Sequence, residues 1–209
     1  MLNQVGLGFY RTMEPKMKFA INLFEKISSS FTLQNFWVRK KMPFNPKYYK
    51  KFSFSNTKDF SLIMIGAHNG KKTKHFVRNA SKYGPVCLVE PIPHLFKQLE
   101  KLHEPSKKMI LLNKCINPLA TEFVEFYAPS PEANRIHPSG DQLGSLHADH
   151  AKNHDIRLEN AIHKIKVRAL TLTQLIEALQ CRDINLLFLD TEGFDSEILP
   201  TFPFDKLKP

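Results

Sequence analysis

No run of eighteen apolar residues occurs anywhere in the 209-residue chain, so the sequence offers no helix long enough to span a bilayer. The N-terminal stretch lacks the basic, apolar, small-residue order of a secretory signal, and the expectation is a cytoplasmic protein. Cysteine is scarce: Cys87, Cys115 and Cys181 are odd in number and far apart. That excludes a disulfide framework or a cysteine metal set, and the three read as reduced residues, with Cys87 and Cys115 in apolar strand contexts. Low-complexity runs are absent and hydrophobic residues make up 42%, which argues against disorder of the body. A chain of this length can bury about 70% of its unfolded surface, enough for one domain with an appended segment.

Charge is present but uneven. Residues 1–60 hold eleven lysines and arginines against Glu14, Glu25 and Asp59, so most of the net +10 lies there. Aromatics interleave with the cations: Phe31, Phe36, Trp37, Arg39, Lys40, Lys41, Phe44, Tyr48, Tyr49, Lys50, Lys51 and Phe52. Such a mix suits a phosphate backbone with stacked bases, or an anionic membrane surface. The alternative is a helix around Lys16 to Ile27 that covers part of the domain and shows its lysines to water. No nucleic-acid motif accompanies the run, so nucleic acid is not the expected partner, while membrane-surface contact stays open. The division is therefore a basic, partly helical segment 1–59 and an α/β domain 60–209.

Three motifs carry chemistry. Phe60 to Ile65 is an apolar run broken only by Ser61, followed by Gly66, Ala67, His68, Asn69 and Gly70: strand, glycine turn, helix. Glycines in such a turn let the backbone approach a ligand and leave helix N-terminal N–H groups facing it. Pro85 to Val89 reads as the next strand and ends in Glu90, 24 positions beyond Gly66. Rossmann-like folds place a ribose-binding carboxylate at about that spacing. Finally, Leu186 to Leu189 is an apolar strand that delivers Asp190, Glu192 and Asp195 to its carboxyl end, where open α/β sheets bind ligands. Taken alone, this last run reads as a strand end and a helix cap, with Asp195 as an N-terminal acid.

The intervening sequence fits alternating strands and helices. Lys72 to Tyr83 and Leu95 to His103 read as helices, the second from Leu95, Phe96, Leu99 and Leu102 at helical spacing. Met109 to Leu112, Phe123 to Tyr127 and Ile165 to Arg168 read as strands, and Leu170 to Leu179 as a helix begun by Thr171 or Thr173. Asn134 to Asp155 is polar, with Pro138 and Gly140 breaking any period, and reads as a mobile loop. The alternation predicts a mainly parallel sheet with flanking helices.

Read in order, Ile63 to Gly70, Leu88 to Leu99, Asn113 to Ile116 with the Phe/Tyr strand after it, Gly144 to Leu146, Val167 to Leu175 and Leu186 to Leu199 resemble the successive motifs of the FkbM-type methyltransferases. The resemblance runs from about Phe60 to about Phe204, and its most specific parts are Glu90-Pro91 and the Asp190 to Asp195 run. It implies a class I, S-adenosylmethionine-dependent O-methyltransferase with a Rossmann-like sheet, acting on a hydroxyl of a small molecule or carbohydrate. By position, Gly66, Ala67 and Gly70 would pass under the methionine end of the cofactor, with His68 where many members have Asn. Glu90, followed by Pro91, would bind the ribose diol, Asn113 would lie near the adenine, and at the methyl-transfer face Asp190 would orient the acceptor or bind the cofactor's sulfonium end, while Glu192 would support the turn or accept a proton.

Departures from the family pattern set further expectations. Met64 stands where members often carry an acid. The family domain normally continues past the position of Pro209, so the last strands are expected to be missing; the chain is then truncated, or a second chain completes the sheet as a homo-oligomer. An uncovered strand edge would be prone to such pairing. His147, His150 and His154 fall at i, i+3 and i+7, one face of a helix, yet only Asp149 or Asp155 would complete a ligand set, so no metal is expected. His147 or His150 would instead serve as general base. A non-catalytic S-adenosylmethionine-binding remnant is the alternative. A nicotinamide dehydrogenase fits less well, because Gly66 to Gly70 departs from Gly-x-Gly-x-x-Gly.

Overall fold

Five parallel strands form the main sheet: β1 (Phe36–Val38), β2 (Leu62–Ile65), β3 (Val86–Val89), β4 (Met109–Leu112) and, far later in the chain, β8 (Leu187–Leu189). Their order across the sheet is β1-β8-β2-β3-β4. The computed structural model describes residues 36–38, 54, 59–119 and 121–207. The helix expected around Lys16 to Ile27 and most of the basic, aromatic run fall outside those residues.

β2, β3 and β8 are buried at every position, which is what continuous apolar runs do when helices cover both faces of a parallel sheet. Alternation along each strand splits their side chains between two cores. Leu62, Met64, Val86, Leu88 and Phe188 pack with Phe76, Val77 and Ala80 of the helix Lys74–Ala80 and with Leu99 of the helix Pro93–Leu102. Ile63, Ile65, Cys87, Val89, Leu187 and Leu189 pack on the other face with Leu172, Leu175 and Ile176 of the helix Leu172–Ala178, and with Ile198 and Phe202. The fold is α/β and Rossmann-like, as the sequence predicts.

The helix Leu172–Ala178 starts at Thr171 rather than Thr173. Thr171 Oγ1 accepts from the Gln174 N–H at 3.0 Å and Gln174 Oε1 accepts from the Thr171 N–H at 2.9 Å, a complete capping box. Thr173 donates its hydroxyl to the Thr201 carbonyl at 3.1 Å. The outer edge of β8 is met by β1, in register from Phe36 opposite Leu187 to Val38 opposite Leu189.

A second sheet combines β5 (Cys115–Ile116), β6 (Phe123–Pro129) and β7 (Ile162–Leu170), with β7 central, parallel to β5 and antiparallel to β6. Between β6 and β7 the structure departs from the mobile loop read from the sequence. The helices Ala133–Ile136 and His150–His154 and the 3₁₀ turns Gly140–Gln142 and Ile156–Ala161 close over Ala133, Leu143, Ala151, Leu158 and Ala161. These apolar residues are too widely spaced for a periodic signal, yet together they form a small core. Gly140 is where Ala133 packs closest: a Cβ there would lie 2.3 Å from the Ala133 carbonyl oxygen.

Candidate functional site

Strand register places the motifs side by side. Ile65 is the partner of both Val89 and Leu189, and Val89 is the partner of Leu112. The residues that follow these strand ends, Gly66, Glu90, Asp190 and Asn113, therefore stand in one row at the carboxyl edge of the sheet, on both sides of the point where strand order reverses from β3 to β8. Ligands of open α/β sheets bind at such an edge.

Glu90 is the centre of this row. Its side chain is 4% exposed, and it accepts the His68 N–H at Oε2 (2.8 Å) and the Ile92 N–H at Oε1 (2.9 Å). Burial pushes its carboxyl up to about 7, against the two backbone N–H groups that favour the charged form. Asn113 holds the same corner from the next strand, donating Nδ2 to the carbonyls of Glu90 (2.8 Å) and Pro91 (3.0 Å). Its amide fixes the backbone of the Glu90-Pro91 pair.

The glycine turn works differently from an open anion cradle. The N–H groups of Gly66 and Ala67 both donate to the Val89 carbonyl at 3.0 Å, Gly70 donates to Ala67, and His68 donates to Glu90. These amides serve the protein, so the turn's main product is the orientation of Glu90. The glycines are demanded by packing and by backbone angle. Gly66 (φ +83) would place a Cβ 1.9 Å from the Asp190 carbonyl oxygen, and Gly70 (φ +71) would place one 2.6 Å from Leu99 Cδ1. His68 adopts φ +53, its ring contacting Asp141 through Nε2, 3.2 Å from the carbonyl oxygen and 3.5 Å from Oδ2. Burial lowers its pKa and favours the neutral imidazole, with the Asp141 charge opposing that shift.

The three acids after β8 go to three different places. Asp190 stays at the strand end, its N–H on the Ile65 carbonyl at 3.0 Å. Asp195 begins the helix Asp195–Ile198 and turns back, with Oδ1 accepting the Thr191 N–H (2.8 Å) and hydroxyl (2.7 Å). Burial raises its pKa and the Thr191 bonds oppose the rise. Glu192, at φ +49, extends its carboxylate to His150, with Oε2 3.2 Å from Nε2.

His147 stands half-exposed against the Phe194 ring (centroids 4.3 Å apart), with Nε2 3.9 Å from Glu197 Oε1. Ser145, fully buried, ties these pieces together: its hydroxyl donates to the Glu192 carbonyl at 2.9 Å and accepts the His147 N–H at 3.1 Å. The sequence marks the Gly144 to Leu146 segment but gives Ser145 no role, since its bond to Glu192 spans 47 residues and leaves no local pattern. Asp141, which holds the His68 ring, is likewise outside the expected set.

The structure thus gathers Gly66, His68, Glu90, Pro91, Asn113 and Asp190 at one sheet edge, and Glu192 with His147 and His150 beside the helix His150–His154. Among the described residues no helix is long and apolar enough to cross a membrane. A family model, the Methyltransferase FkbM domain, matches residues 65–209. Comparison with curated proteins and with solved structures finds no match.

Proposed function

The chain belongs to the FkbM methyltransferase family, and from that premise we propose an S-adenosylmethionine-dependent O-methyltransferase whose acceptor is a hydroxyl of a small molecule or carbohydrate. The observation that carries the cofactor reading is the chemistry of Glu90. An ionised carboxylate offers roughly four acceptor sites, and the His68 and Ile92 amides use two of them. The remainder suit a vicinal diol, which needs two acceptors side by side, and so fit the ribose of a nucleoside. S-adenosylmethionine, when bound, would supply an electrophilic methyl group on a sulfonium.

Each residue then has a part. Glu90 accepts the ribose hydroxyls, and the His68 amide and Asn113 keep it and Pro91 in place. Gly66 and Ala67 set the course of the chain beneath the methionine end, and Asp190, one strand away, faces the transfer step and orients the acceptor. Glu192 and His147 stand at the acceptor side, where a base takes the hydroxyl proton. When bound, S-adenosylmethionine would give up its methyl group to the acceptor oxygen and keep the sulfur electron pair as a neutral thioether, while this chain's own residues hold the acceptor in line and take up its proton. Alignment is the main contribution, worth on the order of 7 to 11 kcal/mol of barrier when reactants are held in line.

Calorimetric titration with S-adenosylmethionine, paired with a methyl-release assay on polyol and sugar acceptors, tests the reading. Saturable binding that weakens in Glu90→Gln supports it. An unfilled titration in the folded wild-type chain, or equal affinity in Glu90→Gln, would remove it.

A further inference from the structure

His150 and His154 lie one helical turn apart on His150–His154, where i and i+4 side chains share a face. Their rings are 4.9 Å apart between centroids and inclined at 60°. Glu192 reaches the same spot from the turn after β8, 42 residues away from His150 in sequence, and one ligand atom from each of the three residues falls within 4.8 Å of the others. We propose that His150, His154 and Glu192 bind a divalent first-row transition cation of the zinc class. Resting on the methyl-transfer reading, that cation would hold the acceptor hydroxyl and lower its pKa.

The donor set argues for the class of ion. Two imidazoles and one carboxylate suit zinc and its neighbours, whereas magnesium and calcium prefer all-oxygen shells. Zinc–nitrogen bonds of about 2.0–2.1 Å put ligand atoms roughly 3.3 Å apart in a tetrahedron. The His150–Glu192 separation of 3.2 Å already meets that spacing, and the His154 ligand atom lies within 4.8 Å of both. Three protein ligands leave a coordination position open, the arrangement of catalytic rather than structural sites. His154 is exposed, which gives an ion its way in.

The backbone beneath supports the same reading. Glu192 (φ +49) and Gly193 (φ +110) lie in the left-handed region, which a non-glycine residue keeps only where the surroundings hold it. The Ser145 hydroxyl on the Glu192 carbonyl is one such restraint. Gly193 lies against the histidines: a Cβ there would be 3.7 Å from His150 Nδ1. The cation's share of the chemistry would be Lewis-acid activation of the hydroxyl; with Glu192 a ligand, His147 would be the base that takes the hydroxyl proton as the oxygen takes the methyl group.

The test uses the full chain, stripped with chelator and titrated with Zn²⁺ and Co²⁺ without S-adenosylmethionine or acceptor, read by calorimetry and by the Co²⁺ visible spectrum. About one equivalent should bind, and His154→Ala and Glu192→Gln should each weaken binding about tenfold or more with far-UV circular dichroism unchanged. His163→Ala, at an exposed position on β7, should bind like wild type. Absence of stoichiometric binding in the wild-type chain, or a loss in His163→Ala equal to that in His154→Ala, would overturn the site. Titration with S-adenosylmethionine in parallel separates the two readings: cofactor binding without metal binding sinks the metal site alone, and metal binding without cofactor binding sinks the methyl-transfer role alone.

Discussion

The backbone N–H of His68 donates to the Glu90 carboxylate at 2.8 Å, a bond across 22 residues that, with those of Gly66 and Ala67 to the Val89 carbonyl, ties the turn after β2 to the end of β3. This bond and that from Ile92 hold a carboxyl that burial has pushed up to about 7. The folded state therefore binds the Glu90 proton more tightly than the unfolded chain does. Stability from this group is fully present in acid and is lost as pH rises from about 4.5 through about 7. Thermal denaturation across that window should show a stability decline attributable to Glu90, reduced in Glu90→Gln. If the variant keeps the wild-type slope, Glu90 is not the group responsible.

Affinity for the proposed cofactor should move the opposite way. Only the ionised carboxylate offers acceptors to both hydroxyls of a diol, so binding of S-adenosylmethionine should strengthen as pH rises through about 7 and level off above it. Calorimetry at stepped pH reads this directly, and a flat profile would count against Glu90 as the ribose ligand.

Gly66→Ala should be far more harmful than Gly70→Ala. The first puts a methyl 1.9 Å from a backbone oxygen that strand pairing holds in place, while the second meets Leu99 Cδ1, the far end of a side chain that can turn aside. Both carry the left-handed strain of about 1 kcal/mol. Gly70→Ala should lose roughly 1–3 kcal/mol in chemical denaturation, and Gly66→Ala more than 3 kcal/mol or fail to fold. Equal losses would mean the Asp190 end of β8 yields easily.

Thr171→Ala removes half of the capping box that starts Leu172–Ala178. The expected cost is about 1 kcal/mol, seen as a fall in Tm of roughly 2–4 °C. Thr173→Ala, which removes a bond to Thr201 but no cap, should cost less.

Asp190→Ala should abolish methyl transfer while leaving S-adenosylmethionine binding measurable, because Glu90 and its supports are untouched. Turnover at the wild-type rate in that variant would move the acceptor-orienting role elsewhere.

Four of the five main-sheet strands were legible as short, wholly apolar runs, Leu62–Ile65, Val86–Val89, Met109–Leu112 and Leu187–Leu189, while Phe36–Val38, in the segment set apart from the domain, was not. The carboxyl ends of those four, and with them the positions of Glu90 and Asp190, follow from where each apolar run stops. Legibility fails where contacts are long-range. His68 to Asp141 spans 73 residues and Ser145 to Glu192 spans 47, and neither side chain sits in a periodic pattern. The segment between β6 and β7 misled for a related reason, since its core residues are mostly alanine and scattered leucines that give short helices no repeating face. The histidine spacing pointed to a shared face, but the carboxylate that gathers with His150 and His154 is Glu192, from the far end of the chain, and not the nearby Asp149 or Asp155.

Gly66 abuts the Asp190 carbonyl with no room for even one more carbon. The two signatures that bracket the carboxyl edge of the sheet are thus keyed to each other by shape, although most of the domain is threaded between them. A protein engineer cannot swap either loop in from a distant relative piecemeal; the pair must be transplanted together, or the graft will jam at this single point.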